Sequence, residues 1–138
     1  MNRVSTSEIG LLVLRLGYAA LLIGFHGWLR FHRAFDYVVF GEPWTFVALI
    51  GRLGFPFPPV FAVLSALAES IAVLFVGLGL FTRWAAGIVA INMTVALLNE
   101  LLKGDPIELP ALYLLGAVVI IVLGPGRFSI DGRRRSPK

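Results

Sequence analysis

Three side chains able to carry charge or protons lie inside long apolar runs of this chain. Glu69 sits near the middle of Val60 to Phe81, Arg15 lies within Ile9 to Trp28, and His26 falls near the end of that same run. Runs of this length can cross a bilayer, where a charge is costly and is retained for a partner or a task. On a helix, Arg15, Tyr18, Leu22 and His26 fall along one stripe. In the second run Ala62, Ser65, Ala66 and Glu69 share a face, and further on Asn92, Ala96, Asn99 and Lys103 align. Stripes of this kind converge on a bundle interior. The chemistry they suggest is a polar intramembrane site, built on an Arg15–Glu69 pair completed by Asn92, that holds or transfers a proton. The structural alternative is that Arg15 reaches out to the interface while a protonated Glu69 bonds a neighbouring helix as glue.

His26 is followed by Gly27, and Asn99, Glu100 and Glu108 are expected at the same membrane face. A histidine beside a carboxylate can shuttle protons; the plainer reading is an interfacial histidine bonded to a loop carbonyl. No haem is expected, because His26 and His32 are the only histidines and both lie at one end. With no cysteine, iron–sulfur ligation and thiolate metal sites are excluded. No metal is expected, since no histidine–carboxylate spacing is diagnostic of one. No phosphate-cradling loop or nucleophile elbow is present.

The elements that must position these groups follow from composition. Of 138 residues, 58% are hydrophobic and 14% charged, with mean hydropathy +0.87. A soluble domain of this size needs a more polar surface. The expected fold is all-α, one domain over residues 1–138: a four-helix transmembrane bundle with helices near 9–28, 60–81, 84–102 and 107–123. The fourth apolar segment is short and recruits Pro106 to Glu108 as its first turn. Arg15 interrupts the apolar centre of the first segment and no small-x-small cleavage site follows, so it is kept as a helix rather than a signal peptide.

Between the first two helices lies an aromatic-rich interfacial loop, Arg30 to Pro59, carrying Phe31, Phe35, Tyr37, Phe40, Trp44, Phe46, Phe55 and Phe57. Pro43 can open a short helix through Arg52, with Gly54 near its end. This segment is expected as a surface-lying lid or an interfacial anchor. Gly10, Gly17 and Gly24 recur every seven residues and form a small-residue stripe suited to close helix packing. Arg3, Arg83, Arg127, Arg133, Arg134, Arg135 and Lys138 gather on one side, which places both termini and a basic tail, 124–138, in the cytoplasm of a bacterial inner (plasma) membrane. The positive charge points to anionic lipid headgroups and not to nucleic acid.

Several polar landmarks, in order, resemble the DoxX family of small four-helix membrane proteins. They are Arg15; His26-Gly27 followed by Arg30-Phe31; Gly54-Phe-Pro; Ala68-Glu69-Ser70; Gly77-Leu-Gly-Leu-Phe-Thr-Arg83; Glu108; and Gly124-Pro-Gly-Arg-Phe-Ser-Ile-Asp131. Many relatives carry lysine where Arg30 stands and tyrosine where Phe128 stands. The resemblance implies a four-helix membrane bundle, and some relatives are membrane subunits of quinone-linked oxidoreductases. It does not settle the reaction.

Two functions follow as expectations. In the first, the chain is the membrane subunit of a quinone-linked oxidoreductase with no redox centre of its own. Glu69, Arg15 and His26 would supply hydrogen bonds and protons, and Trp28, Phe31, Trp44, Asn92 and Glu108 would line the quinone pocket. In the second, it is a non-catalytic assembly subunit of a larger membrane complex, docking through the glycine stripe. Expected partners are the lipid bilayer and other membrane or redox subunits; a homo-oligomer is compatible with either function.

Overall fold

The structure is a computed structural model that describes residues 5–135. Arg3 and Lys138, which counted toward the basic side, lie outside the described residues. Every regular element among the described residues is helical.

Helix α1 runs from Thr6 to Phe40. Ser5 caps it: its side chain accepts from the Glu8 amide, and Glu8 bonds back to the Ser5 amide. The expected end at Trp28 is corrected by the structure. Nothing from Leu29 to Phe40 breaks a helix, and the first stop signal is Gly41, which takes a left-handed conformation at φ 70°. At 1.5 Å per residue this rod is about 50 Å long, more than the ~30 Å of hydrocarbon. It therefore carries the Arg30 region out of the apolar layer as helix. The expected loop from Arg30 to Pro59 is corrected in part: Arg30 to Phe40, about a third of it, is α1, while the short helix expected to end at Arg52 is present as α2, Thr45–Arg52.

Helix α3 spans Pro58–Leu78, opening on prolines in its first turn and closing at Gly79, φ 71°. Helix α4 is Thr82–Lys103, α5 is Glu108–Leu123 and α6 is the short Ile130–Arg135. Both α1 and α3 contain one wide π turn, Ile23–Gly27 and Ala68–Ala72. Such turns often mark functional positions.

The four longer apolar helices α1, α3, α4 and α5 share a core of small and β-branched residues. Ala19, Leu22, Val73, Val76, Ala86, Val89, Ala117 and Ile120 are its centre. Lipid offers helices no hydrophobic drive to associate, so close van der Waals packing of small side chains does that work. Outward, large apolar residues are bare: Trp84 is 80% exposed and Ile91 70%. A surface of this kind suits lipid and would aggregate in water. Helices α1, α3 and α4 are long and apolar enough to cross a membrane, and α5 is a shorter apolar helix of 16 residues.

Candidate functional site: a buried carboxylate facing a membrane chamber

Glu69 stands on the π turn of α3 and is 3% exposed. The Glu69 backbone meets the π turn of α1. Gly27 closes that turn and packs so tightly that a Cβ there would overlap the Glu69 carbonyl oxygen. This contact fixes the register of α1 against α3. One helical turn beyond Gly27 comes Arg30, and the same contact delivers its guanidinium to the Glu69 side chain.

Arg30 Nη1 donates to Glu69 Oε1 at 2.5 Å, and Asn92 Nδ2 from α4 donates to the same oxygen at 2.9 Å. The guanidinium also lies over the Phe46 ring of α2, 4.4 Å from its centroid. Three packed helices and the covering α2 thus meet at one ion pair. Two donors, one of them a guanidinium, converge on a single oxygen of the Glu69 carboxyl. Its second oxygen, Oε2, takes no hydrogen bond, yet the only buried polar side-chain atom without a partner among the described residues is His26 Nδ1. Oε2 therefore opens onto free space.

That space is a chamber of about 340 Å³ between α2, α3 and α4. Its polar wall is Arg30, Glu69, Asn92, Ser65, Asn99 and Glu100, and its apolar wall includes Phe46, Ile50, Phe55 and Phe61. Asn99 donates to Glu100 at 2.9 Å, and Lys103 lies 3.6 Å from Glu100. Mostly apolar concavities with a few converging polar groups are where small molecules bind.

Of the residues singled out from sequence, the structure brings Glu69 and Asn92 together as expected. It does not bring Arg15 to Glu69. Arg15, 1% exposed, donates through Nε to Val76 O at 3.1 Å and through Nη2 to Gly77 O at 3.0 Å, with Nη1 on Pro125 O. It caps the carbonyl end of α3, where a cation complements the helix dipole. Val76 is seven residues, roughly 10 Å, further along α3 than Glu69. Arg30 is the partner that sequence reasoning missed. Ending the first helix at Trp28 had placed Arg30 outside the membrane and left Arg15 as the one cation in range. The Gly27–Arg30 spacing was the signal that could have found it.

Among the described residues His26 forms no ion pair with Glu100 or Glu108, and its Nδ1 has no hydrogen-bond partner. Its ring lies edge-on to Tyr113 of α5 at 5.9 Å, and Tyr18 bonds the Tyr113 carbonyl at 2.7 Å. Trp28 is exposed and meets His32 edge to face, with ring centroids 4.6 Å apart. Trp44 packs between Tyr37 and Phe46, at 6.1 and 5.3 Å. Neither tryptophan, nor Phe31, nor the exposed Glu108 at the start of α5, lines the chamber. The glycine stripe is not a packing face within this chain: a Cβ at Gly10, Gly17 or Gly24 would meet nothing within 4 Å.

The expected basic tail is also corrected in part, because residues 124–135 fold back over one end of the bundle. Asp131 accepts from the Phe81 and Thr82 amides at 3.0 and 2.9 Å and from Thr82 Oγ1 at 2.9 Å, capping α4. Its own amide donates to Gly79 O at 2.9 Å. Arg15 and Asp131 together fasten this end, some distance from the chamber.

With this geometry in place, comparison with known families is decisive on one point. The DoxX family model matches residues 10–99. The chain belongs to the DoxX family. The matched stretch contains Arg15, Gly27, Arg30, Glu69 and Asn92, hence both polar centres of the bundle. It stops short of Glu108 and of the closing Gly124–Asp131 segment, although the resemblance had been traced through both. No curated protein and no solved structure matches the chain. As a DoxX protein with three helices able to span a bilayer, it is a membrane protein.

Proposed function

We propose that this DoxX protein is the membrane subunit of a quinone-linked redox assembly, and that its own contribution is the Arg30–Glu69–Asn92 chamber. In this reading α1, α3, α4 and α5 form a four-helix transmembrane bundle in the plasma membrane, with both termini cytoplasmic. One observation carries the function: a buried carboxyl group, ion-paired with Arg30, with one oxygen clamped by Arg30 and Asn92 and the other free of protein partners at a chamber of about 340 Å³. Structural glue would use both oxygens, because an unpaired charged acceptor in hydrocarbon is costly.

The chamber residues suit a quinone head. Arg30 and Asn92 have further N–H groups for ring oxygens, Glu69 Oε2 accepts from a hydroxyl, and Phe46, Phe55 and Phe61 offer apolar contact. Bound there, a quinone or quinol would supply two-electron redox chemistry, exchanging electrons with a partner subunit. Glu69 would relay one of the two protons that accompany that two-electron change, the other passing to or from water at the chamber mouth. Arg30 would keep the carboxylate oriented, and α2 would shield the ion pair from water. Arg15 and His26 have no part in this chemistry.

Purification from native membranes in mild detergent, with mass spectrometry of proteins and lipid quinones, tests the proposal. Retained quinone with a redox partner, and loss of the quinone in Glu69→Gln, is the expected result. Protein partners without redox centres and no quinone would refute it. That outcome would favour the assembly-subunit reading, which the open Gly10–Gly17–Gly24 face also supports.

A further inference from the structure

The chamber does not end at its polar wall. A second cavity of about 360 Å³ lies along the same α3–α4 groove, lined entirely by apolar residues. The two share Leu64, Ala68 and Ile88. From there the second runs past Phe75 to Phe81 and Trp84, towards the end of the bundle that carries Asp131. Asn92 and Trp84 are eight residues apart on α4, so the groove extends about 12 Å below the polar site.

We infer that the site takes a single-chain amphiphile in its reduced, hydroxyl-bearing form, with the head at Glu69 and the chain laid in the α3–α4 groove towards Trp84. This rests on the quinone reading and sharpens it to a quinol, with a direction for its tail. Two observations support it independently. The apolar groove meets the polar chamber at Leu64, Ala68 and Ile88, so a ligand with both characters fills both. The unbonded Glu69 Oε2 is an acceptor, and a carboxylate whose donors are already supplied by Arg30 and Asn92 selects a head that donates. An oxidised head, with carbonyls only, would leave Oε2 unpaired and would place a carbonyl oxygen against a carboxylate.

Trp84 is the natural reporter. The chain has three tryptophans, and Trp28→Phe with Trp44→Phe leaves Trp84 alone. The full-length protein in nanodiscs of synthetic phospholipid would be titrated with decylhydroquinone brominated at its chain end. Saturable quenching of Trp84 is expected, reversed by unbrominated decylhydroquinone and weakened at least tenfold in Glu69→Gln. Ile71→Phe, at a half-exposed position that lines the groove and not the chamber, should abolish the quenching while leaving calorimetric binding of chainless methylhydroquinone intact. Quenching that never saturates and matches that of a brominated phospholipid would overturn the inference, since the groove would then be ordinary lipid-facing surface. Methylhydroquinone binding without any Trp84 quenching by the long probe would overturn the groove and leave the quinone reading standing. Tighter binding of decylbenzoquinone than of decylhydroquinone would overturn the preference for a donating head. Failure of all of these compounds to bind would remove the quinone reading as well.

Discussion

Replacing Arg30 by glutamine removes the charged partner of Glu69 and leaves Asn92 as its one remaining donor. The cost can be bracketed. Neutral interhelical hydrogen bonds in membranes average about 0.6 kcal/mol, whereas stripping one partner from a buried ion pair costs about 3–5 kcal/mol. Glu69 is buried, with a side chain 4% exposed, but the Arg30 side chain is 29% exposed. Partial solvation of the arginine moves the expected cost below that range, to about 2–3 kcal/mol. Most of it is the penalty of an unpaired carboxylate, so removing that charge as well should recover much of it. A double-mutant cycle with Arg30→Gln and Glu69→Gln, followed by equilibrium unfolding in mixed micelles, should show a coupling of about 1.5–2 kcal/mol. The parallel cycle of Arg15→Gln with Glu69→Gln should be additive within about 0.5 kcal/mol, because the two share no partner. Additivity in the Arg30 cycle, or strong coupling in the Arg15 cycle, would refute the pairing on which the site is built.

Gly27→Ala forces a methyl group into the Glu69 backbone; overpacking of this kind costs about 1–3 kcal/mol, and thermal unfolding should show it together with weakened ligand binding. Arg15→Leu removes the side-chain donor from the Gly77 and Pro125 carbonyls and leaves Val76 O with the Gly79 amide alone, so stability should fall by about 1–3 kcal/mol while ligand affinity per folded molecule stays unchanged. A binding defect in the folded fraction would place Arg15 in the site after all. Asp131→Ala uncaps α4 and should lower stability by about 0.5–2 kcal/mol, which hydrogen exchange would register first at the start of α4. Leucine at Gly10, Gly17 and Gly24 together should leave the monomer folded, since that face is open. Co-purification of partners with this triple variant shows whether the face docks another protein.

Much of the fold was legible because bilayer physics reduces a membrane chain to a few rules. The apolar runs gave three spanning helices and the short fourth, with ends shifted by a few residues: the helix expected over 60–81 runs Pro58–Leu78 and the one over 84–102 runs Thr82–Lys103. The exception was the first helix. Its apolar character fades after Trp28, but hydropathy reports solvent and not backbone, and a helix can continue into the interface until a residue such as Gly41 stops it. That single error moved Arg30 out of consideration and left Arg15 to be matched with Glu69.

The sequence by itself determined that this is an all-helical membrane protein and that a carboxylate would be buried in it. It pointed as well to Asn92 as that carboxylate's neighbour. These follow from composition and helical period, which act along one segment at a time. Only the tertiary structure decided which cation meets Glu69, because that depends on the register between α1 and α3. The register is set by a close approach of Gly27 to the Glu69 carbonyl, a contact between residues 42 positions apart (69 minus 27) for which local pattern carries no signal. The same holds for the closing segment. The Gly-Pro-Gly-Arg run looked like the start of a tail, yet Asp131 returns to cap α4 and Pro125 receives Arg15, because the exposed ends of two helices needed partners that only a folded-back chain could bring.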